Sequence, residues 1–534
     1  MDPILNQPPP LVDYNLFEAD RPLREALERE GASWAQGLVS DLGRLAGTEE
    51  AIRWGFQANA NPPQLRTHDR FGNRIDEVEF HPAWHELMRV AIGHGLHALP
   101  WREPRAGAHA ARAAAFYVWS QVEGGHGCPV SMTYAVVPAL RKNAELAATW
   151  EPLVKSLDYD PGLRRPASKR GVLFGMAMTE RQGGSDVRAN TTRAEPAGND
   201  GEYAITGHKW FVSAPMCDAF LVLAQAPGGL SCFLLPRVLP DGTRNGFHIE
   251  RLKDKLGNRS NASSEVAFDH ASAWLIGEEG RGVRTIIDMV NHTRLDCVIG
   301  SASLMRQAVA QATHHTAHRS AFGKLLSEQP LMINVLADLA VESEATTVVM
   351  MRLARAFDGD GAEAHFRRLA TAVAKYWCCK RAISVAAEAL ECHGGNGYVE
   401  ESILPRLYRE APLNSIWEGS GNVNTLDVLR AMAREPESVE AFFAEVGEDT
   451  RLAHAVADLR KQLADPADAE ARARMVVERM AILLQASLML RFGDPASADV
   501  FCESRLGEHG HQFGTLRPQP ALRSIIARAT PPQR

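Results

Sequence analysis

The first candidate for chemistry in this sequence is a carboxylate set among glycines. Glu418 lies in the run Ser-Ile-Trp-Glu-Gly-Ser-Gly-Asn at residues 415–422, directly after Trp417. A carboxylate that an aromatic neighbour keeps partly out of water can act as a general base, because burial disfavours its charged form. Taken alone, the segment fits a surface glutamate in a loop better than it fits a catalytic base.

Four other segments combine glycine with hydroxyl, aromatic or basic residues, and each also has an ordinary structural interpretation. Residues 178–186 (Met-Thr-Glu-Arg-Gln-Gly-Gly-Ser-Asp) follow a predicted strand and could hold a phosphate or a flavin edge, or form a plain turn. Residues 207–213 (Gly-His-Lys-Trp-Phe-Val-Ser) are an aromatic strand that ends in a hydroxyl residue. The alternative is an amphipathic strand whose aromatic side chains simply lie in the core. Residues 319–324 (Arg-Ser-Ala-Phe-Gly-Lys) end a long helix with charges suited to a diphosphate or to the helix dipole. Residues 394–398 (Gly-Gly-Asn-Gly-Tyr) are a glycine-rich break between two helices and could be a simple C-cap and turn.

The elements that carry these segments fall into four stretches that differ in predicted secondary structure. We predict an N-terminal helical domain at residues 1–170, a middle β-domain at 171–278, a helical bundle with Glu418 at 279–432, and a C-terminal helical extension at 433–534. The predicted helices are Pro22–Leu42, Pro82–Leu99, Ala108–Glu123, Val283–His314, Leu331–Asp358 and Ala362–Cys392. The predicted strands are Val172–Met178, Tyr203–Val212, Phe220–Ala226, Ser231–Leu235 and Ser264–Phe268. The acidic residues 435–449 are interpreted as a connection, and Gly493-Asp494-Pro495 as a helix end.

Composition excludes several classes of protein. The chain has 534 residues, 45% of them hydrophobic, and a net charge of -7, which gives no general attraction to phosphate backbones or anionic membranes. No secretory signal and no stretch long enough to span a bilayer is found, so we expect a cytoplasmic protein without a membrane partner. The eight cysteines lack metal-ligand spacing, which indicates reduced thiols and no metal site.

The five segments occur together in the order found in the acyl-CoA dehydrogenase family, which this chain resembles over roughly residues 80–430. The resemblance implies the α+β fold of that family, a β-domain between two helical domains. Residues 67–74 (Thr-His-Asp-Arg-Phe-Gly-Asn-Arg), 80–82 (Phe-His-Pro) and 406–410 (Arg-Leu-Tyr-Arg-Glu), with the C-terminal extension, are similar to the AidB-type adaptive-response flavoproteins.

The resemblance implies an FAD cofactor and a role for Glu418. At this position the family has the base that removes the α-proton of an acyl thioester, while the β-hydrogen leaves as hydride to flavin N5. Some relatives place the base on the long helix instead, but the matching position falls near Thr293, which cannot act as a base. An aspartate at the Glu418 position would have indicated a nitroalkane oxidase.

The resemblance also implies a set of FAD contacts. Thr179 and Ser213 are expected at the isoalloxazine edge, Gly184 and Ser185 at the diphosphate, and Arg319 and Phe322 at the adenine half of a neighbouring subunit's cofactor. The remaining expected contacts are Met178, Phe211, Val212, Gly394, Gly395, Trp417 and Asn422. A cofactor site that two subunits share implies a homo-oligomer, which we expect to be a homotetramer.

Three positions depart from the family pattern. Phe211 stands where many dehydrogenases have tryptophan, Glu391 replaces a common glutamine, and Pro330 lies near the position of another. These departures concern how the adenine and diphosphate are bound.

Two functions remain open. One is an AidB-type flavoprotein that turns over short or branched acyl-CoA slowly, binds duplex DNA non-specifically and protects it during alkylation stress. The other is an ordinary short- or branched-chain acyl-CoA dehydrogenase of catabolism without a DNA role. The first is supported by basic residues in the terminal region, although acidic residues are interspersed: Arg460, Lys461, Arg472, Arg474, Arg479, Arg517, Arg523 and Arg528. Either function needs an electron acceptor that the sequence does not specify.

Overall fold

The computed structural model describes residues 6–198, 201–465, 467–507 and 510–532. Its contacts divide the chain into two compact units. The helical unit comprises Met1–Ile52, Arg105–Val122 and Arg294–Arg534, and the sheet unit comprises Arg53–Pro104 and Glu123–Thr293.

The N-terminal part of the chain is mainly helical. Its elements are α1 (Arg21–Arg29), α2 (Gln36–Ala46), α3 (Glu49–Ala60), β1 (Gln64–His68), β2 (Arg74–Glu79), α4 (Pro82–Gly93), α5 (Leu99–Arg102), α6 (Ala108–Ser120), α7 (Gly127–Ala135), α8 (Val137–Leu140) and α9 (Ala144–Val154). The Asp20 carboxylate caps α1 by accepting from the backbone amide of Leu23, and a proline in the first turn supports the same start.

The middle of the chain forms a sheet of seven strands. They are β3 (Phe174–Ala177), β4 (Arg193–Pro196), β5 (Glu202–Ser213), β6 (Ala219–Ala226), β7 (Gly229–Pro236), β8 (Phe247–Leu252) and β9 (Ser263–Ile276). The order is β3-β6-β4-β5-β9-β7, with β8 on β9, and β6 also pairs with β7. The sheet therefore closes on itself around a core that includes Phe174, Phe220 and Phe233.

The described residues after β9 form mainly helices, together with one small hairpin. Its elements are α10 (Gly282–His318), β10 (Ser320–Ala321), β11 (Lys324–Leu325), α11 (Pro330–Ala356), α12 (Ala362–Glu391), α13 (Gly395–Tyr398), α14 (Leu404–Glu410), α15 (Gly421–Arg434), α16 (Pro436–Val446), α17 (Ala453–Ala464), α18 (Ala469–Phe492), α19 (Pro495–Leu506) and α20 (Ala521–Ala529). As predicted, α18 ends at Gly493, and the Asp494 carboxylate then caps α19.

Three predictions about elements are wrong. The helix expected over Pro82–Leu99 ends at Gly93, because the chain turns at Gly95, whose φ is 72°. The helix expected over Pro22–Leu42 is two helices, because the chain turns at Gly31, whose φ is 75°. The acidic residues 435–449 are not a connection, since α16 forms there and buries Phe442, Phe443 and Val446. The α+β class, with a helical, a sheet and a second helical region in that order, is confirmed. The four domain boundaries remain a prediction.

No helix in the described ranges is long and apolar enough to cross a membrane.

Candidate functional site

The backbone around Glu418 makes a tight reversal just before α15. Glu418 has a φ of 56° and Gly419 a φ of 98°, so both residues lie in the left-handed region. This conformation costs a residue with a side chain about 1 kcal/mol or more. It persists only where surrounding contacts hold it, which is a recurrent feature of functional sites.

A buried lysine of α12 supplies the first of these contacts. The Lys375 ammonium is 1% exposed and donates to the carbonyl of Trp417, at 2.6 Å, and to that of Gly419. It thus binds the residues on both sides of the glutamate. Asn424 adds a hydrogen bond of 2.5 Å from its side-chain amide to the Gly419 carbonyl.

A buried arginine of α10 binds the carbonyl of the glutamate itself. Arg294 donates from Nε to the Glu418 carbonyl at 3.0 Å and from Nη1 to Asp427 at 2.6 Å. Burial would raise the pKa of Asp427, but the positive charges of Arg294 and Arg368 lower it below its usual value. Asp427 therefore stays ionised and fixes the guanidinium on the Glu418 turn.

The side chains beside the turn are positioned as well. The Trp417 indole donates to the Asn414 side-chain oxygen at 3.0 Å, and Asn414 donates to the Ser301 hydroxyl at 3.2 Å. On α10, burial raises the pKa of the Cys297 thiol well above its usual value, and the Glu418 charge adds to this rise. The half-buried Glu418 carboxylate therefore has a neutral thiol in its surroundings.

Asn422 lies in the first turn of α15, four residues beyond Glu418. Its side chain is exposed, and its oxygen accepts a hydrogen bond of 2.8 Å from Arg474 of α18. The predicted contacts Trp417, Glu418 and Asn422 thus lie in one segment of the helical unit.

The sheet unit carries the predicted contacts to the flavin ring and the diphosphate. Thr179, Gly184 and Ser185 lie in the loop after β3, and a Cβ at Gly184 would stand 2.4 Å from the Thr179 hydroxyl oxygen. Only glycine fits at this position, because the Thr179 side chain occupies the space that a Cβ would take. The Trp210 amide donates to the Thr179 carbonyl at 2.8 Å and joins this loop to β5.

A buried ion pair fixes the base of that loop. The carboxylate of Glu180 accepts from Lys209 at 2.9 Å and from the backbone amides of Thr191 and Thr192 at 2.7 and 3.1 Å. Burial acts to raise the pKa of Glu180, but these hydrogen bonds and the Lys209 charge lower it to about 2. Glu180 therefore has a structural role and stays ionised.

A bulge in β5 explains why an aromatic side chain faces outward. The register with β9 shifts between Lys209 and Val212, and Phe211 is 51% exposed while Val212 is buried. Lys253 lies 4.6 Å from the centre of the Phe211 ring. Ser213 and Met178 are half-buried, and the Ser213 hydroxyl oxygen is 3.5 Å from that of Ser263.

The residues predicted at the adenine half lie at one end of α10 and α12. Arg319 follows α10, and Phe322, at the tip of the β10–β11 hairpin, is 99% exposed. Gly394, with a φ of 58° and a ψ of -139°, and Gly395 follow α12. That combination of angles is essentially restricted to glycine.

The donor set fits FAD. Backbone groups and the Thr179 and Ser185 hydroxyls of the loop after β3 suit a phosphate, and an exposed aromatic with neighbouring hydroxyls at the end of β5 suits a flavin ring. Within the described residues, no group of three or more histidine, cysteine or acidic side chains could hold a metal ion.

Sequence reasoning missed the residues that position the Glu418 turn. Lys375 carried a signal, since a charged residue stands there in an otherwise buried stretch of α12. Arg294 and Asp427 gave no such signal, because their contact joins positions far apart in the sequence.

Family models match three segments of the chain between residues 6 and 433. The AidB N-terminal domain (adaptive response protein) matches residues 6–161, the acyl-CoA dehydrogenase middle domain residues 175–271, and the acyl-CoA dehydrogenase C-terminal domain residues 280–433. The chain is 46% identical to the AidB protein of Escherichia coli (strain K12), over 99% of this chain and 98% of that protein.

Two similarities to nematode proteins extend this result. Acyl-CoA dehydrogenase family member 11 of Caenorhabditis elegans is 31% identical over 79% of this chain and 71% of that protein. The crystal structure of Caenorhabditis elegans ACDH-11 in complex with C11-CoA matches with a TM-score of 0.85 and 27% identity, covering 99% of this chain and 93% of the other.

Proposed function

The chain belongs to the AidB branch of the acyl-CoA dehydrogenase family and is an FAD-dependent enzyme of that type, and we propose that Glu418 is its catalytic base. The family, the fold and the cofactor expected from the sequence are confirmed by this membership. The proposed substrates are acyl-CoA thioesters with short or branched acyl groups, turned over slowly. A cytoplasmic location, where thiols stay reduced, fits the free cysteines.

The observation that carries the proposal is the way the Glu418 turn is held. Three successive carbonyls, of residues 417, 418 and 419, accept hydrogen bonds from the buried cations Lys375 and Arg294. A surface glutamate in a loop would not need two buried cations to hold its backbone in a strained conformation. Positioning of this kind is what general-base catalysis requires, because small displacements of the base reduce the rate steeply.

The proposed reaction divides between the protein and its cofactor. The Glu418 carboxylate takes the α-proton of the thioester, so that the α-carbon–hydrogen bond breaks and the proton is held on a carboxylate oxygen. FAD, when bound, supplies the acceptor for the hydride that leaves the β-carbon. The substrate thereby loses two hydrogens and gains a carbon–carbon double bond. Lys375, Arg294 and Asp427 are positioning residues that keep the base in place.

An anaerobic half-reaction tests this proposal. The purified flavoprotein is mixed with a panel of acyl-CoA thioesters of increasing length and branching, and the oxidised flavin absorbance is followed. Bleaching by at least one thioester, with formation of the enoyl product, is expected. If no thioester bleaches the flavin faster than buffer alone, the dehydrogenase proposal is wrong.

A second candidate function is non-specific binding of duplex DNA in the response to alkylation stress. It is favoured by the match to the AidB N-terminal domain and by basic side chains of the C-terminal extension that are exposed and form no ion pair with a described residue. They include Arg460, Lys461, Arg474, Arg479 and Arg523.

Three other basic residues from the same region already contact carboxylates or backbone carbonyls of the protein. Arg528 pairs with Glu25 and Glu344, Arg517 pairs with Glu503, and Arg472 donates mainly to backbone carbonyls. The charge available to DNA is therefore smaller than the sequence suggested.

A titration with duplex DNA at two salt concentrations tests this second function. Because phosphate contacts release counterions, the affinity should fall steeply with salt, and the double variant Arg479→Met/Arg523→Met should bind more weakly with a smaller salt slope. No binding at low salt, or equal binding by the double variant, would count against these residues as a DNA surface.

A further inference from the structure

A segment near the N-terminus lies along the residues predicted to meet the adenine half of FAD. We call residues 6–9 (Asn-Gln-Pro-Pro) the N-terminal strap; all its contacts described below are within the helical unit. The strap contacts the β10–β11 hairpin, the glycine turn after α12 and the last turns of α10.

Asn6 makes the most specific of these contacts. Its side-chain amide donates to the Ser320 carbonyl at 2.8 Å, and its side-chain oxygen accepts from the Ser320 amide at 2.7 Å. The backbone carbonyl of Asn6 accepts from the Arg319 guanidinium. One asparagine thus satisfies both backbone groups of the first hairpin residue and orients the neighbouring arginine. Its φ of 57° is a conformation that asparagine tolerates better than most residues.

Two further contacts connect the strap to the ends of both long helices. The Gln7 side-chain oxygen accepts from the Asn396 side-chain amide at 2.9 Å, directly after Gly394 and Gly395. A ring nitrogen of His314 is 2.8 Å from the Pro9 carbonyl. The strap therefore bridges the hairpin and the glycine turn, which are separated by about 70 residues of sequence.

The strap leaves most of the Arg319 guanidinium available. An arginine has five N–H donors in a planar fork, and Arg319 uses one nitrogen on Asn6 and pairs with no carboxylate of the described residues. Its remaining donors suit a diphosphate, which arginine binds through paired hydrogen bonds.

The strap belongs to a part of the chain that the ordinary family pattern does not cover. The AidB N-terminal model begins at residue 6, whereas the general resemblance starts near residue 80. The resemblance implies a glutamine at the position of Glu391 and another near Pro330; Gln329, directly before Pro330, donates from its side chain to the Ala321 carbonyl of the hairpin at 3.0 Å. Asn6 and Gln7 bring two further amide side chains to this region.

We propose that the N-terminal strap positions Arg319 and the glycine turn for the adenosine diphosphate half of FAD. Asn6 and Gln7 are positioning residues that hold the hairpin and the glycine turn. This inference rests on the proposed function, because it requires that the chain bind FAD.

Titration of the flavin-free full-length protein with two flavins tests the inference. FMN lacks the adenosine half, so a defect confined to that half weakens FAD binding alone. Asn6→Gly keeps the backbone conformation and removes the side-chain amide. We expect this variant to bind FAD about tenfold more weakly than the wild type and to bind FMN unchanged, and we expect a smaller loss for Gln7→Gly.

Asn61→Gly is the matched control, because Asn61 is also an exposed asparagine whose amide donates to a backbone carbonyl, that of Gln57, at 2.8 Å. It should bind both flavins like the wild type. Equal FAD binding by Asn6→Gly overturns the inference, as does an equal loss for FAD and FMN, which would reflect general destabilisation. Tighter FAD binding would show that the strap competes with the cofactor and would also overturn it. If the wild-type protein does not bind FAD, the proposed function itself fails.

Discussion

At the scale of single residues, Lys375 of α12 is a buried charge that holds the backbone of the Glu418 turn in place. It is a nearly fully buried charge whose described hydrogen-bond partners are the carbonyls of Trp417 and Gly419. Burying an ammonium group is costly unless every donor has a partner. The two carbonyls of the Glu418 turn therefore offset part of the cost of burying Lys375.

The substitution Lys375→Met tests this role. It keeps the length of the side chain but leaves two buried carbonyls without their donor, at a cost of about 1–3 kcal/mol for each group left unpaired. We expect flavin reduction by acyl-CoA to slow by about two orders of magnitude, because the base is displaced. Anaerobic stopped-flow measurements on folded, flavin-loaded variant check this expectation. Lys461→Met, at an exposed position of α17, is the control, and equal rates for the two variants would contradict the positioning role.

The Glu180–Lys209 pair leads to a prediction about pH. The pKa of Glu180 is lowered to about 2 in the folded state, from an ordinary value near 4.5. Its contribution to stability is therefore present above about pH 4.5 and is lost as the pH falls toward 2. Glu180→Gln should make the free energy of unfolding less dependent on pH between 5 and 3, by on the order of 1–2 kcal/mol.

Urea denaturation at several pH values, followed by circular dichroism, measures this difference. Glu195→Gln, at an exposed position of β4 in the same sheet, should keep the slope of the wild-type protein. A Glu180→Gln protein with the full wild-type slope would show that the ion pair does not govern the acid stability of the sheet unit.

At the scale of elements, α19 is joined to α11 by buried charges. Arg505 of α19 pairs with Asp338 at 2.5 Å and with Glu342 at 3.1 Å, and Arg381 of α12 also pairs with Glu342. Burial would raise the pKa of Glu342, but Arg381 and Arg505 lower it, so that the carboxylate stays ionised in the packed interior.

Removing Arg505 should therefore destabilise the docking of the C-terminal extension. Arg505→Met leaves the buried Asp338 carboxylate without its ion-pair partner and Glu342 with Arg381 alone, and we expect a loss of about 3 kcal/mol in the free energy of unfolding. Denaturant unfolding checks the value, and Arg479→Met at an exposed position of α18 should change it by less than about 0.5 kcal/mol. A loss no larger than that of the control would mean that α19 is held by apolar packing alone.

The elements predicted correctly are those in which the spacing of apolar residues in the sequence matches the positions that are buried in the structure. Helices α10, α11 and α12 carry long apolar repeats, and their bounds differ from the predicted ones by only a few residues. Strands β1 and β2 were missed because they are a polar hairpin with few buried positions. Helix α16 was missed because the acidic residues of this stretch outweighed its buried apolar residues Phe442, Phe443 and Val446 in the sequence pattern.

The same distinction applies to the candidate site. The segments with Glu418, Thr179 and Gly184 could be located, because glycine and hydroxyl patterns are local in sequence. Their supports could not, since Lys375 and Arg294 reach the Glu418 turn through contacts between residues 42 and 124 positions apart. No periodicity in a single sequence specifies such tertiary pairings.

At the scale of the whole molecule, a large exposed aromatic side chain supports the prediction of a homotetramer. Phe322 is 99% exposed at the tip of the β10–β11 hairpin, where a soluble monomer gains nothing from a phenyl ring. The family pattern assigns this position to the cofactor of a neighbouring subunit. We therefore expect Phe322 to become buried on assembly.

Light scattering coupled to size-exclusion chromatography tests this expectation. The wild-type protein should have the mass of a tetramer, and Phe322→Ser should dissociate more readily on dilution and release FAD faster. Phe71→Ser, at another exposed aromatic position, is the control and should change neither property. A wild-type protein that is monomeric at micromolar concentration would contradict the shared site.

The most direct test of Glu418 as the base is the half-reaction of Glu418→Gln beside that of Glu401→Gln. Both substitutions convert a carboxylate to an amide in the same region of sequence, but Glu401 is exposed and lies outside the turn. Anaerobic mixing with the best acyl-CoA of the panel should bleach the flavin at the wild-type rate in Glu401→Gln. In Glu418→Gln the rate should fall by at least a thousandfold, although the thioester still binds and perturbs the flavin spectrum. A Glu418→Gln protein that reduces its flavin within tenfold of the wild-type rate would show that another group removes the α-proton.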